Sequence, residues 1–200
     1  MNSPQATNEA DDRELVQAIR RGETDAFELL VRRKTSKVFS LCYRVIGNSE
    51  DAKDVSQLVF LKLWENLPKY DPAFAFDTWL YRMATNVAID FFRNRQSREA
   101  AVNSNLRLVK TSADPDQNVS VQHKEVEAVF AEISSVLSPK QKAVFVMREM
   151  EDLPSTEISK ILGCRESTVR NHLFNARKAM QQELKTRYPE YARLWKESPS

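Results

Sequence analysis

From Ala26 onward, apolar residues recur at spacings of three, four and seven. Phe27, Leu30, Val31, Val38, Leu41, Cys42 and Val45 form one stripe of a helix that Gly47-Asn48 ends. A second helix reads from Asp51 to about Leu67, with Ser49 as the expected N-cap, acids in its first turn and Pro68 closing it. An aromatic connector, Lys69 to Asp77, leads to a third helix from about Thr78 to Arg95. Between 96 and 120, Gln, Ser, Asn and Asp dominate and the few apolar residues keep no period, so a flexible linker is expected. Helical patterning resumes near Lys124 with Val126, Val129, Phe130, Ile133 and Leu137. It breaks at Ser138-Pro139 and restarts through Ala143, Val144, Val146 and Met147. Two further helices, Ser155 to Leu162 and about Arg165 to Leu184, are parted only by Gly163-Cys164. The pattern predicts an all-α chain of two small domains, three helices with an aromatic loop and then a four-helix unit, with frayed ends at Met1 to Asn8 and in the last few residues.

Composition narrows the class. The chain has 200 residues, 42% of them hydrophobic, enough for a core in each unit. It holds only 3 glycines, where average usage gives about 14, which argues against β-sandwiches, barrels and glycine-rich phosphate loops. The longest apolar run, Ala143 to Met147, is far below the roughly 20 residues of a membrane span, and the N-terminus has no apolar stretch, so neither membrane insertion nor a signal peptide is expected. Cys42 and Cys164 lie far apart without a CxxC or clustered His. No disulfide framework or metal site is signalled, and reduced thiols in a cytoplasm fit best. A net charge of +2 says little by itself; its distribution says more.

Leu153 to Leu173 has helix-turn-helix spacing, a short helix, a glycine corner and a second helix. At 100° per residue, Val169, Leu173, Ala176 and Met180 share an inward arc. Ser167, Arg170, Asn171, Phe174 and Lys178 then face outward, with Arg177 at the edge and Arg165 and Thr168 at the start of the helix. Six basic and two acidic residues lie between Arg165 and Arg187. A solvated amphipathic helix would account for the charge alone, whereas the preceding turn makes this face a reader of base edges and phosphates. Phe174 is placed either to touch a thymine methyl or to cover a helix end. In the third helix, Arg82, Asn86 and Arg93 share an arc opposite Trp79, Leu80, Met83, Val87 and Phe91. Lys69, Tyr70, Phe74 and Phe76 stand just upstream, and rings beside a cationic stripe suit unstacked bases. Core packing is the competing reading for these rings, above all for Trp79. In the second helix Ala52, Val55, Val59, Phe60, Leu63, Trp64 and Leu67 make the apolar arc, and Leu58 and Leu61 project from the other side among Asp54, Gln57 and Glu65, a mixed face suited to a protein partner. Asp51 and Asp54 lack a third ligand at helical spacing, His123 and His172 read as surface or packing residues, and no nucleophile constellation is present, so no cofactor and no catalysis are expected.

Over roughly Asp25 to Leu184 the chain resembles bacterial RNA polymerase sigma factors of the extracytoplasmic-function group. The resemblance rests on Asp51-Ala-Lys-Asp-Val-Ser-Gln-Leu-Val-Phe-Leu-Lys-Leu-Trp, Phe76-Asp-Thr-Trp-Leu-Tyr-Arg-Met-Ala-Thr-Asn, Leu137-Ser-Pro-Lys-Gln and Ser167-Thr-Val-Arg-Asn-His-Leu-Phe-Asn-Ala-Arg. It implies an N-terminal extension over 1–22 and a region-2 domain over 23–96 that melts and reads the minus-10 element. A linker over 97–124 would thread toward the active-site and RNA-exit channels. A region-4 domain over 125–184 would read the minus-35 element and touch the β flap, and a tail over 185–200 would lie beyond the family core. It further implies that the Asp54 to Trp64 face docks on the β′ clamp helices of core polymerase, that the connector captures a flipped non-template base, and that an anti-sigma factor controls release. Two positions depart from the family, Leu58 where an acid is usual and His172 where Arg is frequent. An ordinary helix-turn-helix regulator that binds duplex DNA unaided is the main rival, and a metal-dependent enzyme using Asp51 and Asp54 a remote one.

Overall fold

A computed structural model of the chain describes residues 4–103 and 121–190. Eight α-helices lie among them: α1 Pro4–Arg20, α2 Thr24–Ile46, α3 Ser49–Asn66, α4 Phe76–Asn103, α5 Val121–Ile133, α6 Pro139–Phe145, α7 Ser155–Leu162 and α8 Glu166–Arg187. The expected stretch 104–120 and the tail residues Tyr191, Leu194 and Trp195 lie outside the described residues.

The boundaries follow from local chemistry. Gly47 takes φ 79, the left-handed corner that L side chains avoid, and its N–H donates to the Tyr43 carbonyl to stop α2. Asn48, one residue before the expected Ser49, caps α3 by accepting the Asp51 N–H at 2.9 Å. Ser138 and Gln141 close a reciprocal capping box ahead of α6, with Pro139 in its first turn, where a missing N–H costs nothing. After Phe145 the chain makes one wider π-turn, Val146–Met150.

Helices α1 to α4 bury Val16, Leu30, Leu41, Val45, Val59, Leu63 and Leu80; α5 to α8 bury Phe145, Met147, Ile158, Ile161, Val169 and Met180. Burial pushes the Cys42 thiol up to about 11, against a hydrogen bond with Ser56, so Cys42 is an unreactive core group.

Three expectations need correction. The N-terminal extension is a helix, because Leu15, Val16 and Ile19 give it an apolar edge to lay on the first unit. Helix α4 starts at Phe76 and runs to Asn103, so the first residues assigned to the linker continue it. The two units also do not stand apart. Helix α7 lies against α4, and α6 touches α2 and α4. Arg44 pairs with Glu151 at 2.8 Å, the Tyr81 hydroxyl donates to Glu151 at 3.0 Å, and the Thr78 hydroxyl donates to Glu157 at 2.9 Å. Lys142 of α6 is buried beside Gly47, and burial together with the Arg95 charge lowers its ammonium to about 8.

Candidate nucleic-acid interface

Gly163, at φ 61, turns the chain from α7 into α8. Val169, Leu173, Ala176 and Met180 then point into the core, as their spacing predicts, and the rest of α8 follows from that anchoring. Arg165, Ser167, Arg170, Asn171, Phe174, Arg177 and Lys178 are exposed along one side, with Thr168 half-buried at its edge. Phe174 is 65% exposed, so it covers no helix end. Arg170 pairs with Glu166 at 2.5 Å and Arg177 with Glu149 at 2.6 Å, while Asn175 donates to the Asn171 side chain at 3.3 Å. Exposed pairs of this kind are worth about 0 to 1 kcal/mol, so a phosphate or a guanine edge can displace either carboxylate. Burial and the Lys140 charge lower the His172 pKa, which leaves the imidazole neutral at pH 7 and without a charge to offer a phosphate.

The connector separates rings that the sequence had grouped. Tyr70 and Phe76 are in the core, and Trp79 is half-buried. Tyr70 stacks edge-on to Phe76 at 5.5 Å and tilts on Trp79 at 5.1 Å. The corrected reading is that Tyr70 and Phe76 are packing residues, since two rings that close the same core cannot also lie open to a base. Phe74 is 59% exposed at the tip. Its carbonyl accepts the Tyr70 hydroxyl at 2.6 Å, its N–H donates to the Asp71 carbonyl at 3.1 Å, and the Asp71 carboxylate accepts the Ala73 N–H at 2.9 Å. A local Asx turn and a buried tyrosine therefore hold the tip in place. Lys69 beside it is exposed, as are Arg82, Asn86 and Arg93 along α4. The stripe does not face open solvent throughout: an Arg82 guanidinium nitrogen comes within 3.6 Å of where a Cβ at Gly163 would stand.

On α3, Asp54, Gln57, Leu58, Leu61 and Trp64 all face outward, and of the three apolar side chains Leu61 is the most exposed at 62%. Trp64 is held by an edge-to-face contact with Phe27 at 4.7 Å, which leaves much of its indole open. Asp51 forms a 2.7 Å ion pair with Arg95. Sequence reasoning missed Arg20 and the rest of α1; the Leu15-Val16 and Ile19 spacing ahead of Gly22 was the available signal. Among the described residues no helix is long and apolar enough to cross a membrane.

Comparison with known proteins divides the chain at similar places. The family description "Sigma-70 region 2" matches residues 30–98 and "Sigma-70, region 4" matches 129–180. The ECF RNA polymerase sigma-E factor of Escherichia coli K12 is 32% identical over 86% of this chain and 94% of its own length. The ECF sigma factor SigW of Bacillus subtilis is 28% identical over 85% of this chain and 95% of its own length. Among solved structures, CnrH in complex with the cytosolic domain of CnrY overlays with a TM-score of 0.65 at 22% identity, covering 88% of this chain and 99% of that one. The sigma factor RpoE of Bartonella quintana, solved with the anti-sigma factor NepR, overlays at 0.63 and 17% identity, covering 80% of this chain and 98% of that one; at these identities the likeness is one of fold. With a helix-turn-helix unit and a tryptophan-bearing helical unit matched in family order, and a relative aligned along nearly its whole length, the chain belongs to the ECF RNA polymerase sigma factors, which direct transcription initiation.

Proposed function

We propose that this sigma factor recognises promoters through three surfaces on separate elements. The outer face of α8, with Arg165, Ser167, Thr168, Arg170, Asn171, Phe174, Arg177 and Lys178, reads the minus-35 duplex, and the unit over 125–184 also meets the β flap. In the unit over 23–96, Phe74 receives an unpaired minus-10 base on its exposed ring. Lys69, Arg82, Asn86 and Arg93 then follow the adjoining phosphates, with Trp79 at the base of the loop. The α3 face of Asp54, Gln57, Leu58, Leu61 and Trp64 docks on the β′ clamp helices of core polymerase. The chain supplies no catalysis of its own, works in the cytoplasm beside polymerase, and is released from an anti-sigma factor of the kind that RpoE is solved with.

One observation carries this reading above that of a stand-alone duplex-binding regulator: an exposed phenylalanine held at the tip of an ordered loop, with a basic stripe on the helix that follows. A regulator that reads duplex DNA through α8 alone has no use for a second exposed ring, on a loop of the other unit. The test is abortive transcription with purified chain and core polymerase on a library of promoter fragments, with core alone as control. Sequence-selective initiation that requires the chain is expected; a shift of duplex DNA by the chain alone, with no gain for core polymerase, would favour the regulator.

A further inference from the structure

We infer that α1 sets the position of the Phe74 loop, with Arg20 and Asp12 as positioning residues for promoter opening; this rests on the reading that Phe74 receives an unpaired base. Helix α1 lies before the region-2 match, and nothing in the sequence joins it to the connector 50 residues on. The fold brings it to both ends of that connector. At the near end, one terminal nitrogen of Arg20 reaches the carbonyls of Leu67 at 3.3 Å and Pro68 at 3.4 Å, and closest of all that of Tyr70. Those carbonyls end the α3 extension Leu67–Lys69 and open the loop; that of Leu67 also accepts the Tyr70 N–H at 3.1 Å, so the cation there shares it and adds a donor to those of Pro68 and Tyr70 beyond the last helical turn.

At the far end, Asp12 of α1 forms a buried ion pair with Lys34 of α2. The same ammonium holds Asp77, in the first turn of α4, at 2.5 Å and lies 5.8 Å from the centre of the Phe76 ring. Lys37 adds a second, looser contact to Asp77 at 3.4 Å. Between the two clamps run only Asp71 to Phe76, and Phe74 stands at their tip. Backbone placement at Tyr70 and Asp77 therefore fixes where the ring stands. A ring that must meet an extruded base is sensitive to displacements of an ångström, whereas the bonds of Arg20 and Asp12 go to the end of α3, the connector and α2, and not to the Asp54 to Trp64 face or to α8.

The experiment uses holoenzyme, the full chain with core polymerase, on a promoter selected from the library. Permanganate reactivity of the minus-10 thymines and abortive product report opening; fluorescence titration reports core affinity. Arg20→Ala should lower opening roughly ten- to hundredfold while core affinity stays at the parent value. A template already mismatched across minus-10 should recover part of the loss. Adding Arg20→Ala to Phe74→Ala should change opening by less than about twofold, because both act on one ring. That non-additivity is what a merely destabilised protein would not show. Penalties that multiply in the double variant, or parent-like opening by Arg20→Ala where Phe74→Ala is impaired, would overturn the inference and leave the base-capture reading standing. Parent-like opening by Phe74→Ala would instead remove the base-capture reading, and the inference with it. Should Arg20→Ala fail to fold, Arg20→Lys and the isosteric Asp12→Asn carry the test: a loss that vanishes in the Phe74→Ala background supports the inference, and parent-like opening by both overturns it.

Discussion

Arg170, Phe74 and Leu61 each stand exposed on a different face, and each is a point where one substitution separates one activity from the others. Arg170→Ala should cost about 1 to 3 kcal/mol on a cognate minus-35 element if the guanidinium reads a base edge, measured as holoenzyme affinity on matched and mismatched promoters. Equal weakening on every sequence would leave only a phosphate contact. Leu58→Asp with Leu61→Asp should abolish co-purification with core polymerase while the melting temperature holds, since both side chains already face water; retained co-purification would remove α3 as the docking face. At this scale the sequence was informative wherever a helix fixed the direction of a side chain. It was least so in the connector, where no period says which rings turn inward. Tyr70 and Phe76 proved to be core, and only Phe74 was left for a ligand.

Among the elements, the turn before α8 and the clamp by α1 decide how the surfaces are held. Gly163→Ala should cost about 1 to 2 kcal/mol, seen as a lowered melting temperature, because an L residue is strained at φ 61. The added methyl itself would meet Arg82 only at ordinary contact distance, so the loss is one of backbone and not of crowding. Helix α7 and most of α8 were legible because caps, a glycine corner and strict spacing agree there. Helix α1 was not, since its apolar edge is short and polar residues dominate Pro4 to Arg13; it becomes a helix by docking on α2 and by burying Asp12 against Lys34.

For the whole molecule, the packing of α6 and α7 onto α2 and α4 is the feature with the most direct tests. Glu151 takes both Arg44 and Tyr81, so Glu151→Ala leaves one half-buried and one buried donor without that acceptor and should weaken the packing by about 1 to 3 kcal/mol. A rise in the radius of gyration in solution scattering is the expected readout, and an unchanged value would show that apolar contacts alone hold the units together. Lys142 makes the packing depend on pH. Its ammonium, ordinarily near 10.5, falls to about 8 when buried beside Gly47 and near Arg95. Below about 8 the packed state must carry the charge at a cost of roughly 3 kcal/mol, and above 10.5 the group is neutral in both states. The packing should therefore strengthen between pH 8 and 10.5, and Lys142→Met should strengthen it at pH 7 and flatten that part of the profile.

Sequence by itself determined the helical class, the helix-turn-helix, the outward face of α8 and the surplus leucines of α3. Each of these follows from a local period or a local cap, which neighbours in the chain specify without help. Tertiary structure alone decided that Tyr70 and Phe76 are core and that Arg20 meets the connector. It also decided that Lys34 binds Asp12 and Asp77 together, and that Arg82 faces the second unit. These join residues that are far apart in the chain. Such contacts are set by which apolar surfaces are left to bury once the helices exist, and no spacing along a single helix encodes them.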